Sequence, residues 1–320
     1  MTDSYKRAID YMRVSITDRC NLRCRYCMPD GITCIPMEEL LTLEEITETC
    51  RQAAELGICK IKITGGEPLV RLGCTDLVRM IKALPDIEQV TLTTNGVLLP
   101  RYAEELYRAG IDGVNVSLDT LDGAEYKQIT GFDALSDVLE GITIMSSYRI
   151  PLKINSVLQR GQEDNWLALA ELTRKEHLDV RFIEMMPIGY GRRYKPVSNT
   201  EVYRVLEKQY GKLEPDVAVH GNGPAVYYKI PGSLGSVGMI GAVHDKFCSR
   251  CNRIRLTSIG QIKPCLCYEE GISVKEALRS GSTQEVKELI AAAVMAKPLE
   301  HMFGNEQMVT ETREMARIGG

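Results

Sequence analysis

The chain has 320 residues, 44% of them hydrophobic and 26% charged, with a formal net charge of −4. This is the composition of an ordinary globular chain with a real core, and its mild negative charge excludes a whole-surface affinity for nucleic acid or an anionic membrane, so an anionic ligand has to be held by locally placed cations. Eleven cysteines, odd in number and clustered at short spacings, argue against an evenly cross-linked secreted scaffold and for reduced thiols acting as ligands; residues 1–10 are polar, no apolar run approaches a membrane span, and a cytoplasmic protein is expected.

In chain order, strand-like runs lie at 12–17, 58–64, 89–94, 113–118, 152–158 and 180–185. Helix-like stretches at 43–56, 75–84, 101–109, 135–148 and 165–176 separate them, the first preceded by a capping-box pair, Thr42 and Glu45. This alternation predicts parallel βαβ units and an α/β fold. Six units suit a partial barrel or an open doubly wound sheet, and periodicity does not separate the two. Strands covered on both faces should be almost wholly apolar, but these alternate. Arg13, Ser15 and Thr17 share one face of the first run; Lys60, Lys62 and Thr64 share one face of the second. Asn115, Ser117 and Asp119, then Lys153 and Asn155, repeat the pattern. Four exposed edges cannot exist in one sheet, whereas a curved sheet with a polar, ligand-filled interior accounts for all four. Beyond 185 the rhythm changes: a basic Gly/Pro loop at 187–196, a helix at 199–210, short antiparallel strands within 215–241, helices at 274–280 and 283–296, and a loop-like tail ending Gly319-Gly320. The expected division is a first domain over 1–212 and a smaller α+β region over 213–320.

Cys20, Cys24 and Cys27 follow the first strand with the spacing C-x-x-x-C-x-x-C. Three thiolates on a four-iron cluster leave one iron open to an outside ligand, and that iron can chelate the amino and carboxylate groups of S-adenosylmethionine. A zinc site normally takes four ligands, and Cys34 is the one nearby candidate for a fourth. Thr64-Gly65-Gly66-Glu67-Pro68 ends the second strand, where glycine lets backbone approach a ligand and Glu67 can accept from an ammonium group. Thr93-Thr94-Asn95-Gly96 ends the third, and ligands in such sheets sit outside the carboxyl ends of the strands. Near the other end, Cys248 and Cys251 form C-x-x-C, with Cys265 and Cys267 downstream. This set fits a second cluster or a zinc ribbon completed by Cys267 or His244, and spacing does not decide between them. Arg253 and Arg255 lie between these cysteines on one side of a short run and suit triphosphate oxygens. Cys34, Cys50, Cys59 and Cys74 are assigned to packing.

The segments 13–29, 64–69, 93–96, 115–119, 153–155, 181–186, 246–256 and 319–320 together resemble the GTP 3′,8-cyclase family of the radical S-adenosylmethionine superfamily. The resemblance implies a partial (β/α)6 barrel of that superfamily's type, its open side covered by the C-terminal region. It implies two [4Fe–4S] clusters, one on Cys20, Cys24 and Cys27 that cleaves S-adenosylmethionine, and one on Cys248, Cys251 and Cys265 that holds the guanine of GTP. By similarity, Tyr26, Gly66, Ser117 and Met186 contact S-adenosylmethionine. Arg13, Lys62, Thr93, Lys153, Arg253, Ile254 (through its backbone) and Arg255 contact GTP; Lys62 stands where arginine is commoner and loses the bidentate geometry. Arg253, Arg255, Gly319 and Gly320 form the catalytic set, with the Gly-Gly tail reaching into the barrel. The implied reaction is the first step of molybdenum cofactor biosynthesis: a 5′-deoxyadenosyl radical takes the C3′ hydrogen of GTP, C3′ attacks C8, and reduction and protonation give 3′,8-cyclo-7,8-dihydro-GTP. Expected partners are a flavodoxin- or ferredoxin-type reductant and the cyclic pyranopterin monophosphate synthase that takes the product, with neither nucleic acid nor membrane; a homodimer is compatible. The competing readings are a peptide-modifying enzyme of the same superfamily with an auxiliary cluster, and a non-catalytic, zinc-stabilised binding protein.

Overall fold

The computed structural model describes residues 1–319. Six parallel strands alternate with helices, as the hydrophobic rhythm predicts: β1 (Tyr11–Ser15), α1 (Leu43–Glu55), β2 (Lys60–Thr64), α2 (Cys74–Lys82), β3 (Gln89–Thr94), α3 (Leu99–Arg108), β4 (Gly113–Ser117), α4 (Gly123–Thr130), α5 (Leu135–Ser147), β5 (Leu152–Val157), α6 (Glu163–Lys175) and β6 (Asp179–Ile183). The capping box before α1 is present, with the Thr42 hydroxyl accepting from the Glu45 amide and the Glu45 carboxylate from the Thr42 amide. Helix α3 starts earlier than the apolar pattern indicates because Pro100 sits in its first turn, where a missing N–H costs nothing. Helix α4 is not apparent in the periodicity; it is a short helix bounded by the Asp122 N-cap and by Gly131 in the left-handed conformation.

The remaining elements are α7 (Asn199–Tyr210), β7 (Glu214–Asp216), β8 (Val226–Lys229), β9 (Val237–Ile240), β10 (Arg253–Leu256), β11 (Gln261–Lys263), β12 (Ile272–Ser273), α8 (Lys275–Ser280), α9 (Thr283–Met295) and α10 (Met315–Ile318). Their strands extend both ends of the six-stranded array. β10 lies parallel beside β1 and β9 parallel beside β6, giving the order β12-β11-β10-β1-β2-β3-β4-β5-β6-β9-β8-β7. The two outermost strands, β12 and β7, do not pair with each other, so the sheet is an open, partial barrel. Its curvature is shown by Lys62 of β2 and Arg181 of β6, which line one small cavity although their strands stand four places apart in the sheet; a flat doubly wound sheet keeps such residues far apart.

The outer face of the sheet carries the core. Met12, Ile61, Ile63, Val90, Leu92, Val114 and Ile154 alternate with the inward polar residues and pack under Ile46, Leu77, Leu106 and Leu169 of the helices. Each such buried aliphatic side chain contributes about 1.5–3 kcal/mol, which fixes strand register and forces the opposite set of side chains into the interior. Among the described residues no helix is long and apolar enough to cross a membrane.

Candidate active site

The first thiol trio sits on the loop that leaves β1. Two backbone bonds lock this loop to the end of β2: the Gly66 amide donates to the Thr17 carbonyl at 2.7 Å and the Glu67 amide to the Arg19 carbonyl at 2.8 Å. A Cβ on Gly66 would overlap the Asp18 and Arg19 carbonyl oxygens, so glycine is required by close approach. Glu67 itself departs from the sequence expectation. Its carboxylate is fully buried and accepts from the Leu69 amide at 3.0 Å, the Thr94 hydroxyl at 2.8 Å and the Asn95 amide at 2.6 Å. It knits the β2 and β3 ends together and does not line the cavity, and burial lifts its carboxyl to about 7. Burial likewise raises the thiols of Cys20, Cys24 and Cys27, the last to about 12, and neighbouring thiolates add to the effect at Cys24 and Cys27. The Tyr26 hydroxyl donates to Asp119 at 2.7 Å, and burial raises that carboxyl to about 6.

The second trio has a different setting. Arg7, paired with Asp3 at 2.6 Å, donates to the carbonyls of Cys248 at 2.9 Å, Leu299 at 2.9 Å and Pro298 at 2.7 Å. Lys297 donates to the carbonyls of Arg253 at 2.9 Å and Pro264 at 2.7 Å, tying the segments that carry Cys251 and Cys265. Burial opposes ionisation of Cys251, yet Lys297 and Arg253 outweigh it and its thiol lies below the ordinary value. Cys265 lines the cavity. Cys267 is fully buried among Ile188, Leu266, Phe303, Val309 and Ile318, and its sulfur accepts from the Met302 amide at 3.3 Å. His244 turns away to Glu184 at 3.0 Å. Among the described residues no three His, Cys, Asp or Glu side chains converge where one metal ion could sit. The thiols of each trio are instead close enough to shift one another's ionisation while opening onto a common space, a donor set suited to a multi-iron cluster. Of the other cysteines, Cys50 and Cys74 are buried as packing requires; Cys59 is half-buried and Cys34 is exposed, so packing does not account for Cys34.

Both trios line one cavity of about 330 Å³ at the carboxyl ends of the strands. Arg13, Tyr26, Gly66, Thr93, Ser117, Met186, Arg253 and Arg255 line it too. A second cavity of about 110 Å³ adjoins it at the amino ends, shares Arg13, Thr93 and Arg253, and adds Lys62, Lys153 and Arg181. Strand register builds this cationic floor: Arg255, Arg13 and Lys62 are successive partners across β10, β1 and β2. Burial, then Arg181, Arg13, Lys153 and Arg253, depress the Lys62 ammonium well below the ordinary lysine value. Lys153 is partly satisfied by Asp179 at 3.0 Å and by the His220 carbonyl. The Ile254 side chain points into the core and lines neither cavity. Gly319 lies inside the barrel, its carbonyl accepting from Arg255 at 2.5 Å and its backbone against Ser15 and Thr64. Gly320 lies outside the described residues.

Sequence reasoning missed Arg181, which follows the inward periodicity of β6 and donates to Asn155 at 2.8 Å. It also missed Arg7, Lys297 and His301. These come from segments without secondary-structure rhythm; His301 is buried, its ring Nε2 has no partner, and it lines the larger cavity.

The Radical SAM superfamily pattern matches residues 14–173 and the Molybdenum Cofactor Synthesis C pattern residues 178–303. A GTP 3′,8-cyclase of Clostridium perfringens (strain SM101 / Type A) is 42% identical over 323 residues, covering all of both chains. A GTP 3′,8-cyclase of Pelotomaculum thermopropionicum is 44% identical over 330 residues, again with full coverage of both. The crystal structure of Streptococcus suis SuiB bound to S-adenosylmethionine superposes with a TM-score of 0.65 at 15% identity, over 89% of this chain and 67% of that one, which is a likeness of fold. With full-length identity above two-fifths and both patterns in place, the chain belongs to the GTP 3′,8-cyclase family of the radical S-adenosylmethionine superfamily.

Proposed function

We propose that Cys20, Cys24 and Cys27 hold the cluster that binds S-adenosylmethionine, and that Cys248, Cys251 and Cys265 hold the cluster beside which GTP binds. The chain is a GTP 3′,8-cyclase acting in molybdenum cofactor biosynthesis, with two [4Fe–4S] clusters and S-adenosylmethionine as cofactors. When bound, the first cluster and S-adenosylmethionine supply the 5′-deoxyadenosyl radical that removes the C3′ hydrogen of GTP. The protein's own residues bind, orient and enclose. Tyr26, Gly66, Ser117 and Met186 line the S-adenosylmethionine end. Arg13, Lys62, Thr93, Lys153, Arg253 and Arg255 take the triphosphate and guanine, with the Ile254 backbone beside them. Phosphate binding remote from C3′ then fixes the ribose against the radical source. Gly319 reaches the reacting centre from the tail and, with Gly320, keeps its assigned catalytic role, and Cys265 suits the third ligand position because Cys267 is sealed in an apolar cluster.

The observation that carries this reading is the cationic floor. Lys62 is depressed by burial and by four neighbouring cations, and the cationic part of that cost is one that a bound polyanion relieves. The remaining assignments belong to the same proposal: a first domain over 1–212 with the C-terminal region over 213–320, a cytoplasmic setting, a flavodoxin- or ferredoxin-type reductant, hand-off to cyclic pyranopterin monophosphate synthase, and a homodimer. The test is anaerobic turnover of the reconstituted chain with GTP, S-adenosylmethionine and reductant. The expected product is 3′,8-cyclo-7,8-dihydro-GTP; 5′-deoxyadenosine without any cyclised nucleotide would sink the proposal.

A further inference from the structure

We infer that Lys263 is a positioning residue that seats the C-terminal tail in the active site through Glu311, and thereby ties tail placement to the Cys265 loop; this rests on the proposed role of Gly319 and Gly320. Lys263 ends β11 and its side chain is fully buried. Its three N–H donors meet three acceptors: the Tyr268 carbonyl at 2.5 Å, the Glu269 carbonyl at 3.2 Å and Glu311 Oε2 at 2.5 Å. The two carbonyls belong to the loop that carries Cys265, and the carboxylate belongs to the tail. One ammonium therefore holds both segments.

The tail is fixed around that point from several sides. Glu311 is fully buried, accepts from the Arg313 backbone at 2.9 Å and side chain at 2.7 and 2.8 Å, and its own amide donates to the Cys267 carbonyl at 3.2 Å. Arg192 donates to the carbonyls of Val309 at 2.8 Å and Glu311 at 2.9 Å. From there the chain passes Ala316, whose backbone lies against the Cys27 thiol, and ends with the Gly319 carbonyl on Arg255. Arg255 and Lys263 are directly paired across β10 and β11, so they share a face of the sheet. Two cations side by side on neighbouring strands thus grip the base and the tip of the same segment.

The tip tolerates little error. Gly319 has φ 75°, and a Cβ there would stand 3.0 Å from Thr64 Oγ1 and 3.1 Å from Ser15 Cβ. A buried ion pair adds little stability over a well-packed apolar pair, but it fixes which groups meet. Replacing both partners by apolar residues of similar size therefore removes the anchor with the least cost to the fold.

The experiment compares the parent, the double variant Lys263→Met with Glu311→Leu, and a chain lacking residues 319–320, each reconstituted anaerobically. Iron content, 5′-deoxyadenosine formed, cyclised product formed and hydrogen exchange over residues 309–319 are measured. The double variant is expected to keep its iron and its 5′-deoxyadenosine, to lose about 100-fold in product, and to show faster exchange in the tail. Product within about threefold of the parent, while the truncated chain is inactive, overturns the anchor alone. An active truncated chain removes the role of the tail and the anchor with it. If the double variant loses iron, Glu311→Gln decides: it removes the charge that Lys263 meets and keeps the shape of the side chain. Loss of product per 5′-deoxyadenosine with full iron supports the anchor, and unchanged coupling overturns it.

Discussion

The two thiol trios open onto the same cavity, but carboxylates predominate around the first and cations around the second. Around the first, carboxylates act on every thiol, Glu67 on Cys20, Asp119 on Cys24 and Glu314 on Cys27, and Arg23 is the one cation that acts there, on Cys20. Around the second the charged groups beyond the thiols are cations: Lys297 acts on all three thiols, Arg253 on Cys251 and Arg255 on Cys265. S-adenosylmethionine brings a sulfonium and an ammonium, whereas GTP brings a polyanion. On the proposed assignment, identical ligand chemistry at the two ends is made selective by second neighbours, so the surrounding charges and not the cysteines distinguish the two occupants.

The comparison breaks most sharply at the cysteines. Cys24→Ala is expected to abolish both 5′-deoxyadenosine and cyclised product. Cys251→Ala is expected to abolish the product and leave 5′-deoxyadenosine measurable by chromatography. Equal loss of both products in both variants would erase the division of labour. Next come the arginines. Arg253→Ala and Arg255→Ala should each weaken GTP binding about 30-fold, roughly 2 kcal/mol for a lost charged hydrogen bond, with reductive cleavage of S-adenosylmethionine retained; equilibrium binding checks the first and product analysis the second.

Lys62 sharpens the comparison through pH. Its folded value is depressed below 10.5 by burial and neighbouring cations, so between those values the unfolded chain binds more protons than the folded one. The cost to stability is full below the depressed value and fades as pH rises towards 10.5. A bound polyanion reverses the depression, so at pH between the depressed value and 10.5 GTP binding is expected to take up a proton and to weaken as pH rises. Calorimetry in buffers of different ionisation enthalpy checks this, and Lys62→Met should remove the uptake. The smallest effect is expected at Glu67. Because its carboxylate is spent on Leu69, Thr94 and Asn95, Glu67→Gln should cost about 1 kcal/mol of stability and leave the KM for S-adenosylmethionine within about threefold; a collapse in that KM would return Glu67 to a ligand role.

The six βα units, the inward face of Arg13, Lys62, Asn115, Ser117 and Lys153, and the two cysteine sets are legible in the sequence because each rests on local spacing. The joining of β9 and β10 to β6 and β1 is not. A four-residue run such as Arg253–Leu256 has alternation but nothing that names its neighbour, and that choice is made by tertiary packing. Lys263 shows the same limit. A lone lysine in a short run has a surface lysine as its ordinary reading, and its partner lies 48 positions away. Glu67 is the converse case, where a residue in a ligand-binding segment proves to hold backbone together.

The most direct test uses the chain in which Cys20, Cys24 and Cys27 are alanine, reconstituted, reduced and studied by electron–nuclear double resonance with isotopically labelled GTP or labelled S-adenosylmethionine. The account predicts hyperfine coupling from the label on GTP and none from S-adenosylmethionine. Coupling from S-adenosylmethionine at this remaining cluster, or none from GTP, would contradict it.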